Sequence, residues 1–148
     1  MSDADADFMR LALSLAVPGV GRTGANPSVG CVIVNDGVVV GEGATADGGR
    51  PHAEELALAQ AGNKAQSATA YVTLEPCAKR STGVSSCSEI LIQHGVARVV
   101  IAIGDPHPFA AGVGVERLRA VGINVEVGLM SEEARALNAV FFAQWDKP

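Results

Sequence analysis

One imidazole, one carboxylate and two thiols stand out: His52-Ala53-Glu54, then Pro76-Cys77, then Cys87. A histidine and two cysteines can hold a Zn²⁺ ion and leave its fourth tetrahedral position open to water, which distinguishes a catalytic zinc from a closed structural one. Two thiolates offset the ion's charge, and soft sulfur suits the metal. Water bound to zinc loses a proton near neutral pH. Glu54, two residues after the histidine, is placed to carry that proton without being a ligand itself. Residues two apart on an ideal helix do not share a face. His52 is therefore expected at or just before the first turn of a helix that contains Glu54.

The same parts, H-x-E followed by P-C-x-x-C, mark the zinc-dependent nucleobase deaminases. The chemistry would be hydrolytic attack at a ring carbon bearing an amino group, with the amine leaving as ammonia. The competing reading is a structural zinc knot in a metal-stabilised interaction domain. That needs four protein ligands, and no fourth obvious ligand lies nearby in the sequence. Glu54 separates the two, because a purely structural site has no use for it.

The remaining candidates carry less chemistry. Cys31 sits inside an apolar run and reads as a buried small hydrophobe. His94, late in a helical stretch, reads as a surface group or a partner of the helix C-terminus. His107 lies in the rigid Asp105-Pro106-His107-Pro108 loop, a position open to a pocket or to the surface. Lys79 and Arg80 fall between the two cysteine ligands, as a solvated loop or as a phosphate contact close to the metal.

Elements that position these residues alternate along the chain, which predicts an α/β layered fold. Phe8, Leu11, Ala12 and Leu15 recur at helical spacing until Pro18-Gly19. Residues 29–34 and 38–40 predict a hairpin around Asn35-Asp36-Gly37. A helix over 54–61 follows His52, and a strand over 70–74 runs into Pro76-Cys77. Ser86 with Glu89 predicts a capping box, so Cys87 should open a helix whose dipole favours the thiolate. A buried strand over 98–103, a helix over 115–121, a short strand over 123–127 and a C-terminal helix with Ser131 as N-cap complete the pattern.

Composition bounds the partners. The chain has 148 residues, a net charge of −5 and no basic stripe, which argues against a long nucleic-acid partner. It is 48% hydrophobic and only 18% charged, which points to a sheet covered on both faces and to surface hidden in a homo-oligomer. Three cysteines make no disulfide framework and read as a reduced compartment. The apolar run 11–17 is too short to span a bilayer and follows Asp3, Asp5 and Asp7, the wrong charge for a signal peptide. The expectation is a cytoplasmic protein of one domain over 1–148, with no membrane partner.

Longer stretches resemble one family. Asn26-Pro27-Ser28-Val29-Gly30-Cys31-Val32-Ile33-Val34, Pro51-His52-Ala53-Glu54, Thr73-Leu74-Glu75-Pro76-Cys77, Gly95-Val96-Ala97-Arg98-Val99-Val100, Asp105-Pro106, and Leu137-Asn138 with Phe141-Phe142 are similar to the pyrimidine deaminase domain of riboflavin biosynthesis. That domain is usually the N-terminal half of a bifunctional deaminase/reductase. The long C-x9-C spacing is similar to this branch, whereas tRNA adenosine and cytidine deaminases carry C-x2-C. The resemblance implies a cytidine-deaminase-like three-layer α/β/α sandwich around a five-stranded mixed sheet. It implies hydrolysis of the ring amino group of 2,5-diamino-6-ribosylamino-4(3H)-pyrimidinone 5′-phosphate. The alternative is a deaminase of the same fold acting on guanine, cytidine, adenosine or a similar aminated base.

By motif match His52, Cys77 and Cys87 would be the zinc ligands, Glu54 the proton shuttle and Asn26 a substrate contact. Further substrate contacts would be Thr45, Ala78, Lys79, Arg80, Asp105 and His107. Thr45 stands where the bacterial enzymes often have histidine, and His107 where they often have asparagine. Ala78-Lys79-Arg80 replaces their Ser-His pair and looks closer to the fungal-type loop, which keeps a basic group for the phosphate. The reductase half is absent from these residues, so the expectation is either a standalone deaminase, with a separate reductase as a partner, or part of a longer bifunctional chain.

Overall fold

A computed structural model describes residues 2–77, 86–107 and 110–144. Five strands form one mixed sheet: β1 (Gly30–Asn35), β2 (Val38–Ala44), β3 (Thr69–Val72), β4 (Arg98–Ile101) and β5 (Asn124–Val127), in the order β2-β1-β3-β4-β5. β1 pairs antiparallel with β2 and β3, whereas β3, β4 and β5 run parallel. Among the described residues there are six α-helices: α1 (Asp3–Ala16), α2 (Ala53–Ala61), α3 (Cys87–Gln93), α4 (Val113–Ala120), α5 (Ser131–Leu137) and α6 (Ala139–Ala143).

Alternation along the strands builds two cores. Cys31 and Ile33, Ala70 and Val72, Val99 and Ile101, and Val125 face Ala57 and Leu58 of α2, Leu91 of α3 and Leu118 of α4. Val32 and Val34, Tyr71, and Val100 face the other way, toward Met9 and Ala12 of α1 and Ala134 of α5. This is the expected α/β/α sandwich, with the central strands buried on both faces. Among the described residues no helix is long and apolar enough to cross a membrane.

The β1–β2 turn contains Asp36 at φ 53° and Gly37 at φ 78°, the pair of left-handed residues that a two-residue type I′ hairpin needs. β2 runs on to Ala44, past the expected Val40, because its second half is built for close packing rather than for hydrophobic alternation. A Cβ on Gly41 would sit 2.2 Å from the Ala57 carbonyl oxygen, and one on Gly43 2.8 Å from that of Ala53. Only glycine lets α2, which starts the metal site, lie flush against this edge strand.

Several expected boundaries move. β3 and β4 stop at Val72 and Ile101, not at Leu74 and Ile103, because the chain splays there. Thr73 turns instead to Gly30: its N–H donates to the Gly30 carbonyl at 3.1 Å, and its hydroxyl accepts from the Gly30 N–H at 3.0 Å. Ser131 is not the N-cap of α5 but its first helical residue. Met130 takes the cap at φ 60°, and its carbonyl accepts from Ala134 N–H at 3.0 Å. The C-terminal helix is also two helices, broken at Asn138.

At the end of the sheet where β4 begins, Asp5 is locked in place. Arg98 donates two hydrogen bonds of 2.9 Å to its two carboxylate oxygens, and Tyr71 donates a third of 2.5 Å. Glu126 accepts a further bond from Arg98 at 2.6 Å. The guanidinium holds the Asp5 carboxyl well below the usual carboxylate range, while burial and the bond to Asp5 push Tyr71 up to about 12. A depressed folded-state value means that Asp5 stabilises the fold fully above the ordinary carboxylate value of about 4, and loses this as the pH falls toward its folded value. Asp5→Asn is therefore expected to cost ~2 kcal/mol at pH 7, discounted because Arg98 keeps some solvent. The gap to the parent chain should narrow below about pH 4 in a urea-unfolding series. A gap that is constant with pH contradicts the assignment.

Candidate metal centre and active-site pocket

The site lies at the carboxyl ends of the parallel strands β3 and β4, where crevices of open α/β sheets usually form. His52 is the N-cap of α2, in extended conformation at φ −75°, ψ 159°, one residue before the helix. This is the placement that two functional residues two apart require. The adjacent glutamates divide the work. Glu55 accepts from the His52 backbone N–H at 3.0 Å and caps the helix. Glu54 turns inward and is buried, and burial raises its carboxyl above the ordinary range.

The Cys77 segment leaves β3, and Cys87 opens α3. Ser86 caps α3, its hydroxyl accepting from Glu89 N–H at 3.2 Å. The expected capping box is only half formed, because the Glu89 carboxylate accepts from Arg117 at 2.9 Å. Cys87, the first helical residue, donates its N–H to the Cys77 sulfur at 3.2 Å. Ser88 N–H and hydroxyl both donate to the Cys77 carbonyl, at 3.0 and 2.9 Å. α3 thus docks on Cys77 and orients it, with amide donors that favour a thiolate.

His52 Nδ1 lies 3.3 Å from Cys87 Sγ, and the donor atoms of His52, Cys77 and Cys87 all fall within 4.8 Å of one another. The two sulfurs and one imidazole nitrogen suit Zn²⁺ in chemistry and in spacing. Among the described residues this is the one such group, and Glu54 is not part of it.

A pocket opens over this group. His52, Glu54 and Cys77 reach it from the metal side. Asn26, Pro27, Val29, Thr45, Leu74, Glu75, Asp105 and Phe141 complete the lining. Of the expected substrate contacts, Asn26, Thr45 and Asp105 therefore meet at the pocket. The Thr45 hydroxyl is already engaged there, accepting from Val29 N–H at 2.9 Å, so it orders the start of β1. His107 is half-buried outside the lining, and its N–H donates to the Asp105 carboxylate at 2.9 Å. Asp105 is pushed up by burial. Ala78, Lys79 and Arg80 lie outside the described residues. Cys31 is fully buried in the core, and His94 caps α3 with Nδ1 2.8 Å from the Ile90 carbonyl oxygen.

Residue type does not announce Leu74, Glu75 or Phe141 as pocket-lining. Phe141 reaches the site because Asn138 clamps the Asn26-Pro27-Ser28 segment. The Asn138 carboxamide accepts from Ser28 N–H at 2.9 Å and donates to the Ser28 carbonyl at 2.8 Å. The Ser28 hydroxyl in turn donates to the Ala16 carbonyl at 2.6 Å.

Residues 2–103 match the family described as the cytidine and deoxycytidylate deaminase zinc-binding region. The chain belongs to this deaminase family. Its deaminase fold is shared with RibD from Acinetobacter baumannii, at a TM-score of 0.93 and 46% identity over 97% of this chain and 40% of that one. It is 50% identical to the riboflavin biosynthesis protein RibD of Aquifex aeolicus over 95% of this chain. The chain spans only 39% of that relative's length. It is 45% identical to a diaminohydroxyphosphoribosylamino-pyrimidine deaminase from Buchnera aphidicola, covering 93% of both chains.

The clamp makes a local expectation. Asn138→Ala removes both bonds to Ser28 and should destabilise the chain by ~2 kcal/mol. Hydrogen exchange at the Ser28 amide should accelerate. Unchanged protection there would show that the clamp does not hold the loop.

Proposed function

We propose that the chain carries out zinc-dependent hydrolytic deamination of 2,5-diamino-6-ribosylamino-4(3H)-pyrimidinone 5′-phosphate, releasing ammonia. The observation that carries this reading is the buried Glu54 carboxylate, in the same pocket as His52 and Cys77 yet outside the donor set. A structural metal site gives such a group nothing to do. Similarity to the Buchnera deaminase over 93% of both chains supports the substrate class.

His52, Cys77 and Cys87 would hold the Zn²⁺ ion, which when bound lowers the pKa of water toward neutrality. Glu54 takes a proton from the attacking water and delivers it to the ring nitrogen, and a second transfer protonates the departing amine. The water oxygen becomes the ring carbonyl oxygen and the amine leaves as ammonia, so atoms balance. Asn26 and Asp105 orient the ring, and Phe141 and Leu74 shield its faces from solvent. Lys79 and Arg80 provide positive charge for the phosphate. A reductase, in the same or another polypeptide, consumes the product. The chain works in the cytoplasm as a homo-oligomer, a state supported by apolar side chains left outside, among them Val140 at 84% exposure. Light scattering at micromolar concentration should give a mass above that of one chain.

Glu54→Gln is the decisive variant. It should retain one equivalent of zinc by elemental analysis and lose at least ~100-fold in ammonia release. Normal turnover in this variant overturns the mechanism. A panel containing the diaminopyrimidine phosphate, guanine, cytidine and adenosine tests the substrate. Turnover confined to the last three would move the reading to another aminated base.

A further inference from the structure

Glu75 is a buried carboxylate that the proposed chemistry leaves unused. It lies two residues before Cys77 and is 6% exposed. Its partners among the described residues are backbone amides of one segment. Asp105 and Gly112 donate to Oε1, each at 3.1 Å, and Val115 donates to Oε2 at 3.2 Å. Its own N–H donates to the Ile103 carbonyl at 3.0 Å. The contact is close on the backbone side as well: a Cβ on Gly114 would fall 2.1 Å from the Pro76 carbonyl oxygen. The segment that supplies Cys77 and the one that supplies Asp105 therefore meet through this side chain.

We infer that Glu75 is a positioning residue, whose carboxylate ties the Asp105, Gly112 and Val115 amides to the Cys77 segment and so sets where Asp105 enters the pocket. This rests on the deaminase reading of the site only for its kinetic consequence. A carboxylate has acceptor sites for all three amides, because each oxygen offers two lone pairs. A carboxamide keeps one acceptor oxygen and turns an N–H₂ toward a donor. Alanine leaves all three amides without their acceptor, a loss that is largest at the buried Val115 amide and smaller at the half-buried Asp105 and Gly112 amides. Glu75→Gln should therefore lie between the parent chain and Glu75→Ala.

The test combines exchange, metal content and a double-mutant cycle on the full chain. In Glu75→Ala, exchange at the Asp105, Gly112 and Val115 amides should accelerate at least ~10-fold while the core amides of β3 and β4 stay protected, with Glu75→Gln intermediate. Zinc content should remain at the parent value in both. With the diaminopyrimidine phosphate, Glu75→Gln should raise KM at least ~5-fold and change kcat by less than ~3-fold. Adding Asp105→Asn should then cost little more than Asp105→Asn alone, because groups acting through one another are not additive. Multiplicative losses, or unchanged exchange at Asp105, overturn the inference. Should Glu75→Ala fail to fold, Glu75→Gln carries both readouts. A parent chain that releases no ammonia from this compound would refute the proposed substrate, and the exchange measurement would still decide the role of Glu75.

Discussion

Two helices begin at the same end of one sheet, and everything else in the molecule serves that coincidence. His52 stands immediately before α2 and Cys87 opens α3, while Cys77 arrives on the chain leaving β3. Donor atoms of residues 25 and 35 positions after His52 converge with its imidazole within 4.8 Å only because each element points its working end at the same crevice. Cys87 N–H bonding to the Cys77 sulfur makes the convergence partly self-assembled, since the helix carrying one ligand orients another.

Position then depends on unusually close backbone packing. Gly41 and Gly43 allow α2 to sit on β2 without intervening side chains, which fixes the depth at which Glu54 enters the pocket. Elsewhere around the pocket, hydrogen bonds through side chains add to such contact. Thr45 orders the start of β1, Asn138 fastens the loop before it, and Glu75 gathers the segment after β4. Each uses a polar group to hold backbone that no regular ladder reaches, and this keeps irregular chain ordered around a cavity.

The convergence of His52, Cys77 and Cys87 was the most legible part of the sequence because few residue types can hold a metal ion. A histidine, a glutamate two residues on and two cysteines admit few alternatives, whatever the fold. The layers were legible from alternation, and Cys31 from its apolar run. Adjacent Glu54 and Glu55 were not separable by type, because both suit a helix start; only the three-dimensional path shows one capping and the other buried against the pocket that His52 and Cys77 line. Asn138 bonds to a residue 110 positions away, so no local pattern discloses it. Ser131 failed as a cap because the left-handed Met130 begins the turn one residue earlier than its side-chain chemistry suggests. The ends of β3 and β4 were overextended because hydrophobic residues continue past the point where Thr73 turns to Gly30.

The ionic knot formed by Asp5, Tyr71, Arg98 and Glu126 occupies the pole opposite the cavity, since Arg98 is the first residue of β4 and the pocket lies beyond its last. A four-residue strand at ~3.3 Å per residue holds the two poles more than ~10 Å apart. The Asp5–Arg98–Glu126 ion-pair anchor and the pocket therefore lie in separate districts of one small sheet. A lineage facing acid or heat can rewrite one district while the other goes on working unaltered.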